Sequence, residues 1–274
     1  MPTSSKYDDL PATKPFRLPG NIPLKMVLVK PGTFWMGDDS EEALDKEKPK
    51  HLVQITRPYY IGKYAVTQQQ WTALMKSNPS TFKGDRRPVE QVRWNDIVTG
   101  GQEDGPTTGF LTVLNEQIPT DGAFALPTEA QWEYAARGGH LFAVQNEETI
   151  YYPAFAGGDH LERAGWFREN AYRQSQKYGR KHANALGLYD MNGNLYEWCA
   201  DWFEGAEYKK RKQDVIVDPT GPETGTDRTL RGGSWVGTAR GCRPSFRDGL
   251  PPGSRYGDDG FRLVWLPRVR SSSS

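Results

Sequence analysis

Two cysteines, four histidines and one short acidic turn are the residues of this chain best suited to chemistry. A thiol acts as nucleophile or soft-metal ligand only as its thiolate, and chelation needs two sulfurs side by side. Cys199 and Cys242 stand far apart and form no CxxC pair, so they predict neither a tetrahedral metal site nor a disulfide scaffold. His51, His140, His160 and His182 show no HxH or HxxxH spacing, which argues against a non-haem iron centre. No GxGxxG or Walker-type loop follows a strand-like run, so nucleotide binding has no support. Gly257-Asp258-Asp259 can touch a ligand or bond only within its own turn. Lys209-Lys210-Arg211-Lys212 is expected to be a solvated loop and not a phosphate grip.

The elements that must position these groups are short. With 274 residues, the chain has enough material for one large domain. Its 35 basic and 34 acidic side chains leave a net charge near +1, which excludes a nucleic-acid clamp and a polybasic membrane binder. Nine tryptophans and 12% aromatic residues argue for a packed core, while 29 glycines and 20 prolines argue for a loop-rich fold. Apolar runs such as Met26-Val27-Leu28-Val29 are too short to span a bilayer. Residues 1–22 read as an extended arm and 269–274 as a tail. The amino end lacks a basic stretch followed by an apolar one. The chain as given is therefore expected to be cytoplasmic, or a surface protein whose leader has been removed. Strands are expected at 25–30, 33–36, 51–55 and 59–64. Thr67 caps a helix carrying Trp71, Leu74 and Met75, a short helix ends near Asn115, and Asn95 or Asp96 caps a further element. The clearest helix spans 128–137, with Thr128 as cap, Gln131 as its capping-box partner, and Gly138-Gly139 as its stop. The fold class is α+β.

Six segments together resemble the formylglycine-generating enzyme (sulfatase-modifying factor) family. They are Pro31-Gly32-Thr33-Phe34-Trp35-Met36-Gly37, Gly62-Lys63-Tyr64-Ala65-Val66-Thr67, Leu126-Pro127-Thr128-Glu129-Ala130-Gln131-Trp132-Glu133-Tyr134-Ala135, Gly187-Leu188-Tyr189-Asp190-Met191-Asn192-Gly193-Asn194, Arg231-Gly232-Gly233-Ser234-Trp235 and Gly260-Phe261-Arg262. The resemblance implies a C-type-lectin-like fold over 23–268. It also implies that an oxidase would need two nearby cysteines, after the Gly-Gly-Ser segment, to hold copper and capture a substrate thiol. Here that stretch holds Cys242 alone, and Tyr196 stands where the enzymes usually carry Trp, so no copper and no formylglycine synthesis are expected. Ser234 matches the family's active-site serine. Cys199 and Cys242 are then expected either to pack against each other, closed as a disulfide, or to remain two buried reduced thiols. Asp190, Gly193, Leu195 and Glu197 line up with a family calcium site, two carboxylates and two backbone carbonyls around a hard cation. The other reading is that Asp190 caps the Asn192-Gly193 turn and Glu197 pairs with an arginine.

Residues 236–259 also resemble the variable region of diversity-generating retroelement target proteins, several of which use this fold. A framework (Ala239, Arg240, Cys242, Arg243, Arg247, Pro252, Arg255) alternates with seemingly arbitrary positions: Val236, Gly237, Thr238, Gly241, Phe246, Asp248, Gly249, Leu250, Pro251, Gly253, Ser254, Tyr256, Gly257, Asp258 and Asp259. All but Pro251, Gly253 and Ser254 are taken as candidate ligand contacts. Randomised Asn codons cannot encode Lys, Glu, Gln, Met or Trp, and none of these occurs in the segment. The framework arginines are expected to hold backbone carbonyls and carboxylates. The expected function is non-catalytic binding of a protein or surface ligand through 236–259. A family enzyme with a different reaction, and a pseudo-enzyme that binds sulfatase-like peptides, are the alternatives.

Overall fold

A computed structural model of the chain describes Tyr7 and residues 9–101, 103–142, 152–211 and 213–268. Among these residues there are twelve strands: β1 (Thr13–Leu18), β2 (Ile22–Val29), β3 (Gly32–Met36), β4 (His51–Ile55), β5 (Tyr59–Gly62), β6 (Gly122–Ala125), β7 (Tyr196–Phe203), β8 (Ile216–Val217), β9 (Asp227–Arg231), β10 (Arg247–Leu250), β11 (Asp259–Gly260) and β12 (Val264–Pro267). The helices are α1 (Gln68–Met75), α2 (Trp94–Val98), α3 (Phe110–Gln117), α4 (Glu129–Ala136), α5 (Leu161–Ala164) and α6 (Glu207–Lys210). The strands form three sheets, ordered β1-β2-β5-β12-β6, β10-β9-β7-β11 and β3-β4-β8.

The apolar run in β2 explains the centre of the fold. Met26 and Leu28 enter one core cluster with Trp71, Phe110 and Trp265, while Val27 and Val29 enter another with Phe34, Tyr59 and Trp132. A strand buried on both faces reads as continuous hydrophobicity because alternate side chains leave on opposite sides. β5 and β12 divide in the same way, Tyr60 and Trp265 on one side, Ile61 and Val264 on the other. β12 inserts between β5 and β6, so the last strand of the chain ties its first and middle parts together.

The capping signals are realised. Thr67 Oγ1 accepts from Gln70 N at 3.2 Å and Gln70 Oε1 accepts from Thr67 N at 3.0 Å. Thr128 and Gln131 repeat the reciprocal pair at 3.1 and 3.0 Å, each box satisfying two amides that the helix cannot. Three expectations need correction. Residues 13–18 are not a loose arm: β1 pairs along β2 and buries Phe16 and Leu18. α2 is capped by Arg93, whose amide donates to Asp96 Oδ2 at 3.0 Å, so Asp96 serves from inside the helix. Lys209 and Lys210 end α6, where Lys210 pairs with Glu204 and Glu207; Lys212 and the tail lie outside the described residues.

Candidate binding surface and its framework

The segment 236–259 is anchored by arginines, and the anchors follow from register. Arg247 on β10 stands opposite Arg231 on β9, two like charges side by side. α4 answers with Glu129 and Glu133, whose four-residue spacing puts both carboxylates on one helix face. Arg247 Nε and Nη2 reach the two oxygens of Glu129 at 2.7 Å each, and Arg231 Nη2 donates to Glu133 Oε2. All four are buried. Burial works against the charge on Glu129, yet Arg247 and Arg231 outweigh it and hold its carboxyl below the usual range. Arg243 bonds Glu47 Oε1 and Asp38 Oδ2, both at 2.8 Å, and the Arg240 carbonyl at 3.1 Å. The expectation that these arginines hold carbonyls and carboxylates is met. The sequence reading missed Glu129 and Glu133 as their partners, although the helix spacing was visible.

On this framework the candidate positions divide. Val236 and Tyr256 are 41% and 53% exposed. Thr238 is exposed too, and Gly237, Phe246, Asp248, Gly249, Leu250, Gly257 and Asp258 are partly covered. Gly241 and Asp259 are buried. Space for a side chain also differs. A Cβ at Gly257 would come no nearer than 3.7 Å to Gln91 Nε2, and one at Gly241 would rest 3.6 Å from the Tyr196 hydroxyl. A Cβ at Gly249 would lie 2.5 Å from the Phe203 ring, so this position supports the sheet and does not present a side chain. Arg168, which the sequence did not single out, fixes the 236–238 tip: its Nε donates to the Val236 carbonyl at 2.9 Å and its amide to the Gly237 carbonyl at 3.0 Å. Cavities of about 310 and 240 Å³ reach the segment only at Pro244 and Arg255 respectively.

Beneath the tips, Ser234 is fully buried and donates to Asp258 Oδ2 at 2.7 Å. Trp235 Nε1 donates to the Gly257 carbonyl at 2.9 Å. Asp259 is 2% exposed, and its Oδ2 has no partner among the described residues. Burial, then Asp258 and Asp248, push its carboxyl up to about 8. The Tyr196 phenol is raised first by burial and then by Asp248, Cys242 and the other two aspartates. Lys46 Nζ sits 2.9 Å from Asp248 Oδ1 and 4.7 Å from the centre of the Phe246 ring.

The cysteines are free, buried and in different packing clusters, Cys199 with Trp132 and Cys242 with Leu161 and Phe167. They do not pack against each other. Burial pushes the Cys242 thiol up to about 12, so it is a protonated packing group at neutral pH. At the calcium position, Glu197 gives both oxygens to Arg262 at 2.6 and 2.7 Å and also accepts from Trp132 Nε1 at 2.6 Å. Asp190 accepts from Gly179 N through Oδ2 at 3.0 Å, while Oδ1 is buried without a partner among the described residues. Burial pushes its carboxyl up to about 6. The unmet need of a cation therefore sits on Asp190, while Glu197 is already balanced by its arginine. Among the described residues, no group of three His, Cys, Asp or Glu side chains is arranged to hold a metal, so a cation here would rest largely on the carbonyls of Gly193 and Leu195.

Comparison with known proteins agrees with this architecture. The chain is 28% identical to a formylglycine-generating enzyme of Thermomonospora curvata over 92% of its own length and 97% of the relative's. It is 29% identical to chaperone protein LppX of Paenibacillus barcinonensis, covering 75% and 79% of the two chains. Among solved structures, Treponema denticola variable protein 1 superposes with a TM-score of 0.75 at 29% identity, over 94% of this chain and all of the other. The fold is the loop-rich C-type-lectin-like fold of that group. Residues 12–267 match the sulfatase-modifying factor enzyme 1-like domain, and the chain belongs to that family.

Proposed function

We propose that the protein is a non-catalytic binder that presents the exposed parts of residues 236–259 to a protein or surface ligand. One observation carries this reading: within a single segment, Arg243 and Arg247 are buried and paired while Val236, Thr238 and Tyr256 between and beside them face solvent. Such an arrangement lets contact residues change without touching what holds the loop. The likeness to a variable protein of Treponema denticola supports it. The chemistry of the site also argues against catalysis of the family's kind. Its one cysteine is a buried thiol with a raised pKa, and Ser234 is fully buried and committed to Asp258. Among the described residues no helix is long and apolar enough to cross a membrane.

A display library tests the proposal. Randomising Val236, Gly237, Thr238, Gly253, Tyr256 and Gly257 with NNY codons should leave most clones folded by protease resistance. Randomising Arg243, Arg247 and Gly249 should unfold most of them. Equal tolerance of the two sets would defeat the claim. A companion assay supplies a sulfatase-derived cysteine peptide with copper(I) and oxygen. Mass spectrometry should find no formylglycine, and its appearance would restore the enzyme.

A further inference from the structure

The four-stranded sheet places several of the segment's polar residues on one face. Asp259 pairs in register with Tyr196, so both side chains leave the sheet on the same side. Asp248 stands opposite Leu230, which stands opposite Trp198, two residues along the strand from Tyr196 and on its face. The Phe246 ring lies 6.5 Å from that of Tyr196. Tyr196, Phe246, Asp248 and Asp258 are each partly exposed around this cup, and Asp259 forms its buried wall. Gly241 has no side chain to fill the space beside the Tyr196 hydroxyl.

The charges of the cup do not balance. Lys46 answers Asp248, packing its ammonium against both that carboxylate and the Phe246 ring. Among the described residues, Asp258 and Asp259 have no ion-pair partner and Oδ2 of Asp259 has no hydrogen-bond partner. Arg243, Arg247 and Arg168, the nearby bases, are turned to Glu47, Glu129 and the 236–237 backbone. A buried carboxylate without a partner is costly, and supplying one returns that cost as affinity. A metal ion fits the cup poorly, because no three carboxylate, thiol or imidazole groups among the described residues converge as its ligands. A larger organic cation can span separated carboxylates and lie on an aromatic face, as Lys46 already does beside it.

We propose that the cup of Tyr196, Phe246, Asp258 and Asp259 receives a lysine or arginine side chain of a protein partner. This rests on the reading of residues 236–259 as a binding surface and names the chemistry that the surface selects. Two groups of the cup carry raised pKa values. Asp259 is raised by burial, Asp258 and Asp248, and Asp258 is raised by burial despite the Ser234 hydrogen bond. Cation binding therefore releases a proton below about pH 8. Lys46, Asp248, Tyr196 and Cys242 are further titratable groups near it, and Glu90 lies behind Gly257.

The test titrates methylguanidinium and methylammonium into the intact chain and follows the amide and ring signals of residues 196, 241 and 257–259 by NMR. Saturable shifts are expected, with affinity rising from pH 6 to pH 8. Asp258→Asn and Asp259→Asn should each weaken binding about tenfold or more, and Gly241→Leu should block it while folding normally. Unchanged shifts in these variants, equal shifts with sodium chloride, or stronger ones with calcium or magnesium would overturn the assignment. A second arm selects peptides from a random display library and maps them on the chain. Peptides that bind at 236–259 through lysine or arginine, lost on acetylation or on Arg→Gln change, support the proposal. Peptides that bind there without a basic residue would remove the cation and keep the surface. Peptides that bind only elsewhere on the fold would remove both.

Discussion

Replacing Asp259 with asparagine isolates the energetic cost of an unpartnered acid. The side chain is 2% exposed, one oxygen has no partner, and its carboxyl is raised from 3.8 to about 8 by burial, Asp258 and Asp248. Between those two pH values the folded state keeps a proton that the unfolded chain has released. Stability from this group is thus complete below about pH 4 and is lost as the pH rises through 8, at about 1.4 kcal/mol per unit. Integrated over the window, the loss is roughly 6 kcal/mol as an upper bound, since water entering the folded site reduces it. The substituted amide would mimic the protonated acid without the slope. Urea unfolding of both proteins from pH 5 to 9 should give stabilities that diverge in the variant's favour up to about pH 8 and run parallel above it. Asp190 and Asp201 are raised to about 6 and 7 and add slopes of the same sign, but to both proteins equally. Parallel curves over the whole range would mean that the Asp259 carboxylate is already paired or solvated, and the cation cup would lose its main support.

Arg247→Met should destabilise by about 3–5 kcal/mol in chemical denaturation, because it leaves Glu129 buried with only the longer contact to Arg231. Gly249→Val should cost about 1–3 kcal/mol against the Phe203 ring, while Gly253→Val, with nothing within 4 Å of its Cβ, should change stability by less than about 0.5 kcal/mol. Cys242 should resist iodoacetamide at pH 7.5 until the protein unfolds, and reaction at the rate of a free thiol would contradict its burial. A calcium-dependent rise in melting temperature is expected in the wild type and should vanish in Asp190→Asn. An identical chelator response in the two proteins would remove the metal. Glu197 is the wrong residue for that test, since its loss strands Arg262.

Local signals were legible because their physics is local. Thr67 could be read as a cap and Thr128 with Gln131 as a capping box from a few residues each, the structure adding Gln70 as the partner of Thr67, and β4 matches its expected 51–55 span. Misreadings came where distant chain decides. The polar, proline-bearing start becomes a strand because β2 offers an unpaired edge. Of the two readings of the cysteines the structure bears out the second, two buried free thiols, because β7 puts Cys199 beside Trp132 while Cys242 packs with Leu161 of α5 and Phe167. The buried aspartate at 259 could not be told from its exposed neighbours, since only pairing with Tyr196 fixes which way it faces.

The same pairing explains how one segment can serve both stability and recognition. Its fixed residues act across long sequence distances: Arg243 reaches back to Glu47, and Arg247 to Glu129. Their partners lie outside the segment, so none of these bonds depends on the identity of residues 236–238 or 253–257. Those tips are instead held through backbone atoms: the Val236 and Gly237 carbonyls by Arg168, the Gly257 carbonyl by Trp235, and the Tyr256 carbonyl by the amide of Gln91. Backbone bonds are indifferent to side chain, so substitution at the tips leaves the loop's shape in place. Asp259 breaks this division, being buried like the framework yet unpaired. On the proposed reading, a cationic partner bound where tips and framework meet would recover the stability that this residue costs the free protein.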